Sequence, residues 1–156
     1  MKTKILDLKK ETQEIEIKED TELLGLFVGR ESEFRKIKLK IIHRKPDLKS
    51  NILIKAVLWD NSRFDFEGDL VIEKGARNTD TYLKAQVLIM SDGAIARAVP
   101  SLEIKEDEVK GGHGATVGQV DEEQLFYLQS RGLSRKDAEE TLVEGFVKEI
   151  LEKMNS

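Results

Sequence analysis

No cysteine occurs among the 156 residues. A disulfide framework, a thiol nucleophile, a CxxC zinc site and an all-thiolate iron–sulfur cluster held by this chain alone are therefore excluded. Proline is scarce at 2 residues and aromatics make up only 6%, so neither collagen-like nor proline-rich low-complexity structure applies. Positive charge is not in excess: 26 Lys+Arg face 30 Asp+Glu, a net charge of −4. That balance argues against a broad basic surface for nucleic acid. No apolar run approaches the ~18 residues of a membrane span. The N-terminus is charged from Lys2 onward and lacks the apolar centre of a signal peptide. These absences lead to the expectation of a soluble cytoplasmic chain without membrane or nucleic-acid partners. Phosphate-loop, GxSxG and HExxH patterns are missing as well, and acid pairs such as Asp107-Glu108 read as solvated faces. Nothing announces a catalytic centre, and a non-enzyme is expected.

What is present is an ordinary globular balance, 39% hydrophobic and 36% charged, of about one domain's length. Residues 121–156 hold nine acids against five bases, whereas the two signs cancel over residues 1–120. From about residue 12 the patterning is that of strands. Ile15 and Ile17 alternate with acids, and Ile37, Leu39 and Ile41 with lysines. Continuous apolar runs follow at Ile52–Ile54, Leu70–Ile72 and Val87–Met90. The stretch from Asp69 to Ala76 aligns with that from Val87 to Ala94 at an offset of 18, and the same step reaches Ile52 and Gly111. One such unit per turn, with glycines at the corners, would build a parallel β-solenoid. Evenly spaced hairpins of a β-sandwich would give a similar spacing.

After residue 120 the period becomes helical. Asp121 with Gln124 forms a capping pattern, Leu125 and Leu128 share a face, and Gly132 is a stop. Ser134 with Asp137 opens a second helix, with an apolar stripe from Ala138 through Val147 to Met154. That stripe is wide enough to pack on the end of the solenoid and still offer a seam to a partner. The expected division is a β core over 1–120, with N-terminal strands at 12–45, and a helical subdomain over 121–156. Of the two histidines, His43 in Ile42-His43-Arg44-Lys45-Pro46 reads as a solvated strand end. His113, in Lys110-Gly111-Gly112-His113-Gly114-Ala115-Thr116-Val117-Gly118, allows two readings. Its bare flanks would admit a ligand, a metal or another backbone, or the glycines serve a tight corner that the imidazole caps.

The ordered series Pro100-Ser101-Leu102-Glu103-Ile104, Val109 through His113-Gly114-Ala115-Thr116-Val117-Gly118-Gln119, Leu125-Phe126-Tyr127-Leu128-Gln129-Ser130-Arg131-Gly132-Leu133 and Glu144-Gly145-Phe146 resembles the C-terminal core of the SufB/SufD family of SUF iron–sulfur cluster assembly. The likeness is densest over residues 81–152. It implies a mainly β fold, a right-handed parallel β-helix core followed by a C-terminal two-helix subdomain. It also implies pairing through the β-helix with a SufB-type subunit or a second copy, and docking of a SufC-type ABC ATPase by the helices. By this resemblance His113 takes the place of a histidine associated with the nascent cluster, and Gly114 makes the motif SufD-like. Gly111 stands where SufD relatives commonly carry cysteine, and the chain is shorter than typical members.

The resemblance therefore implies a SufD-like, non-catalytic scaffold subunit. His113 would be a shared ligand for iron or a transient Fe–S cluster completed by a partner's thiolate, with no cluster bound by this chain alone. Leu125, Phe126, Tyr127, Arg131 and Phe146 would build the ATPase-docking surface, although Leu125 and Phe146 would serve equally to seat the helices. A structural adaptor that keeps the docking end without the cluster role, and an unrelated β-sandwich binding module, are the alternatives.

Overall fold

Alternating aliphatic residues between charged ones suit a strand with one buried face, as in Ile37–Ile41. The computed structural model describes residues 1–156. Its strands are β1 (Lys2–Ile5), β2 (Thr12–Ile17), β3 (Thr21–Gly29), β4 (Phe34–His43), β5 (Lys49–Leu58), β6 (Arg63–Ile72), β7 (Asp80–Ile89), β8 (Ile95–Ile104) and β9 (Lys110–Gln119), followed by helices α1 (Glu122–Ser130) and α2 (Arg135–Met154). The odd strands form one sheet in the order β1-β3-β5-β7-β9, and the even strands a second in the order β2-β4-β6-β8. Every pairing is parallel. The chain alternates between the sheets and winds a parallel β-solenoid of about four turns, finished by two helices. Parallel pairing throughout excludes the hairpin-built sandwich.

The true repeat differs from the 18-residue offset. Ser50 stacks on Thr81 and Thr81 on Gly111, so one coil takes 31 and then 30 residues. The aligned runs at Leu70–Ile72 and Val87–Met90 lie at the C-terminal ends of β6 and β7, in opposite sheets. The shorter offset therefore compares successive strands within a coil. Gly111 is likewise within a strand, not at a corner. Gly93 does sit at a corner: a Cβ there would stand 2.1 Å from Asn61 Oδ1 of the turn below.

Inward columns fill the coil interior. Ile37, Ile41, Phe66, Leu70 and Leu83 are fully buried, and the rings of Phe27, Phe64 and Phe66 stack at 5.8 and 6.3 Å. Leu6 and Leu8, between β1 and β2, join this core and close its first end. Turns stack too: Asp60 accepts from the Glu31 amide at 2.8 Å, and its own amide donates to Ser91 Oγ at 2.8 Å.

His43 is not solvated. It continues the inward parity of Leu39 and Ile41 and has no exposed surface. Its Nδ1 lies 3.1 Å from the Val71 carbonyl and its Nε2 lies 2.7 Å from Ser50 Oγ, which is 2.7 Å from Thr81 Oγ1. A carbonyl only accepts, so Nδ1 carries the proton and Nε2 accepts from Ser50. Burial, partly opposed by the Val71 contact, holds the imidazole pKa below its ordinary value.

The helices begin and end as their capping residues dictate. Asp121 accepts from the amides of Glu123 and Gln124, Ser134 accepts from that of Asp137, and Gly132 adopts φ 103° between the helices. The stripe of α2 does not seat on the end of the solenoid. Val147 and Ile150 pack with Leu24, Leu53 and Val57 on the outer face of the β3/β5 sheet. The end of the coil is left uncovered.

Candidate functional site

The uncovered end consists of β8 and β9, each of ten residues with one open edge. Hydrogen-bond parity decides what each edge offers. The amides of Ile95 and Lys105 donate back to the Ser62 and Ile72 carbonyls. Backbone groups alternate sides along a strand, so in β8 those of Ala96, Ala98, Pro100, Leu102 and Ile104 face outward from the sheet. Pro100 has no N–H and interrupts that row. In β9 the amides of Lys110 and Val120 donate to Thr79 and Ile89 of the preceding coil. Gly111, His113, Ala115, Val117 and Gln119 therefore present an unbroken row of unpaired donors and acceptors.

His113 is the last member of the inward column Leu23, Ile52, Leu83. The first three are buried core residues, whereas His113 is exposed because no coil follows it. The imidazole is thus presented at the mouth of the coil. Its flanking glycines form neither a corner nor an open approach. They project from the other face, under the ring of Tyr82, which pairs in register with Gly112. A Cβ at Gly112 would come 3.0 Å from Tyr82 Cδ2, and one at Gly114 would come 2.9 Å from its hydroxyl oxygen. Access to His113 therefore runs along the coil axis. Gly111, on the same inward face, has room for a side chain: the nearest atoms, on Ile104 and Ile72, lie 3.4 and 3.5 Å from its Cβ position. No group of three or more His, Asp or Glu side chains is arranged to hold a metal.

The five helical candidates separate into two sets. Phe126 and Tyr127 are 74% and 56% exposed, and the Arg131 guanidinium lies 5.3 Å from the Tyr127 ring centre. These three make an outward surface on α1. Beside it runs a groove lined by Asp121, Glu123, Gln124, Tyr127, Leu128 and Leu142. Leu125 is instead the one buried residue of α1. Phe146 faces the solenoid, its carbonyl accepting from Lys55 Nζ at 2.7 Å and its ring lying 4.7 Å from the same amine. Arg135 ties the helices together, donating to both Glu122 oxygens at 2.9 and 3.0 Å and to Glu139 at 2.9 Å. Hydrogen bonding to Arg135 lowers the Glu122 pKa and raises that of the arginine.

Lys55, Tyr82 and Pro100 were not among the sequence-level candidates. Pro100 carried a readable signal, because proline within a strand belongs at an edge. Lys55, a lone cation in Asn51-Ile52-Leu53-Ile54-Lys55-Ala56-Val57, gave no hint of its helical partner.

Fold and site together define a parallel β-solenoid with helices on its flank and an unsatisfied terminal coil. Residues 4–146 match the family model described as SUF system FeS cluster assembly, SufBD core domain, and the chain belongs to that family. It is 41% identical over 143 residues to an iron–sulfur cluster assembly SufBD family protein of Mycobacterium leprae, covering 86% of this chain and 36% of the relative. A protein of the same description in Mycobacterium tuberculosis is 38% identical over the same shares. A second one from M. tuberculosis is 34% identical over 133 residues, covering 85% of this chain and 16% of the relative. The chain thus spans about a third or less of the length of these curated relatives. No helix is long and apolar enough to cross a membrane.

Proposed function

We propose that the chain is a SufD-like, non-catalytic subunit of an iron–sulfur cluster assembly scaffold. It pairs through its terminal coil with a cysteine-bearing SufB-type chain, and receives a SufC-type ATPase on α1. One observation carries the reading: the unpaired β9 edge holds His113 at the mouth of the coil, while Leu6 and Leu8 close the opposite end. A strand added to β9 satisfies its free backbone groups and brings partner side chains beside the imidazole. The cluster is cargo in this scheme. His113 supplies one nitrogen and the partner supplies thiolate, a ligand combination known in iron–sulfur chemistry. Phe126, Tyr127 and Arg131 contact the ATPase, while Leu125 and Phe146 hold the helices in place.

The test is anaerobic co-expression with neighbouring SUF subunits, followed by iron and sulfide quantitation on the native complex and on His113→Ala. Both proteins are expected to assemble, with the variant losing most of its iron and sulfide. Assembly with undiminished loading would remove the ligand role and favour an adaptor without cluster chemistry. That second reading draws on the residue at position 111, a glycine with no donor side chain. Failure of the native chain to bind any SUF subunit would overturn both.

A further inference from the structure

Gly145 is the only glycine inside either helix, and nothing around it calls for glycine. No atom lies within 4 Å of its Cβ position, and its φ is not positive. Glycine nonetheless weakens a helix interior relative to alanine. The residue divides α2 into two differently held parts. Beyond it, Val147 and Ile150 pack on Leu24, Leu53 and Val57. Lys55, 5% exposed, there reaches the Phe146 carbonyl and lies 3.4 Å from Glu149, and Lys153 bonds Glu22. Before it, Val143 is the last side chain packed against that cluster, and the remaining turns carry α1, clamped on by Arg135.

Beneath this forward part lies an open cleft. Arg30 and Trp59 line it from the solenoid, and Arg135, Lys136, Glu139 and Glu140 from α2. The Arg30 guanidinium lies 5.0 Å from the centre of the Trp59 ring, and the buried indole N–H of Trp59 has no hydrogen-bond partner. Glu140, on the opposite wall, makes no salt bridge that would hold it away.

We propose that α2 is jointed at Gly145. Lys55 pins the C-terminal half to the solenoid, while α1 and residues 135–144 form an arm that closes the cleft and brings Glu140 to the Trp59 N–H. The joint gives a role to the Gly145-Phe146 pair, which does not contribute to the exposed α1 surface. If α1 receives an ATPase as proposed above, the arm is the part that such a partner moves. The joint itself needs no partner, so its test is independent of that reading.

The chain has no native cysteine, which makes site-directed spin labelling direct. Labels are placed at Ser32→Cys, in the turn after β3, and at Ser130→Cys on the arm. A second pair joins Ser32→Cys to Glu152→Cys on the pinned half. Each is measured in excess unlabelled protein, so that only distances within one chain are read. The arm pair is expected to give two distance populations, the shorter one closed, and the pinned pair a single narrow one. Gly145→Ala should merge the arm populations into one without loss of folding. Lys55→Met should broaden the pinned pair. A single narrow arm distance in the native chain, or two populations that survive Gly145→Ala, would overturn the joint.

Discussion

His43 shows how a polar side chain is made tolerable inside a coil. Its neutral ring, the Ser50 hydroxyl and the Thr81 hydroxyl form one directed chain, fully satisfied only while Nε2 accepts. Protonation would reverse that order and place a charge away from water. The folded-state pKa lies below the ordinary value of 6.5 that the unfolded chain regains. The unfolded state therefore binds more protons at mildly acid pH. The His43 contribution is complete above about pH 6.5 and is lost as pH falls through the folded-state pKa. Urea unfolding between pH 7.5 and pH 5 should show stability declining over that window. His43→Ala should be less stable by about 2–3 kcal/mol at neutral pH, since it leaves a cavity and strands Ser50, and its pH dependence should be flatter.

Tyr82 has a different task at the same scale. Its ring covers Gly112 and Gly114, which have no side chains with which to shield the last strand. Tyr82→Ala should cost about 1 kcal/mol, and hydrogen exchange should localise the loosening to the β7–β9 ladder. Equal loss of protection in β2 and β4 would refute that local role.

At the scale of the element, the direction of a single amide separates folding from the proposed association in β9. Ala115 points its backbone groups to the open edge, whereas Thr116 bonds β7. Ala115→Pro should therefore fold with near-native thermal stability and fail to pair with the proposed SufB-type chain in sedimentation velocity. Thr116→Pro removes a ladder bond and should lower stability by about 3 kcal/mol. Identical behaviour of the two variants would show that β9 is not the pairing edge. The helices obey their caps in the same way. Asp121→Ala, which releases the amides of Glu123 and Gln124, should fray α1 and cost about 1 kcal/mol, readable as lost helical circular dichroism.

For the whole molecule, the consequential asymmetry is between the ends of the coil. One end is plugged by Leu6 and Leu8, and the other exposes His113 and two strand edges. The helices lie on the flank, so the proposed pairing end and the ATPase surface do not overlap. If α1 receives the ATPase as proposed, Phe126→Ala with Tyr127→Ala should weaken that binding at least tenfold in calorimetry while leaving the melting temperature and strand pairing unchanged, because both rings are exposed. A fall in melting temperature matching the loss of binding would assign the rings to packing instead.

The glycine-rich β9 read as a corner in the sequence because it lacks apolar alternation. Local patterning was enough to locate β2, β4, β5, β6 and β7, the helix boundaries at Asp121, Gly132 and Ser134, and the succession of a β core by helices. Each depends on side-chain alternation or on a capping residue a few positions away. The ordered motifs from Pro100 to Phe146 likewise carried the family. The length of a coil, the burial of His43, the cover of Tyr82 over the glycines and the seat of α2 on the flank were decided only by the tertiary structure. Each joins residues far apart in the chain: Thr81 lies 31 positions from Ser50, and Phe146 lies 91 from Lys55. The alternation in the sequence distinguishes inside from outside. Stacking in three dimensions determines which inward residue comes last, and here that residue is a histidine.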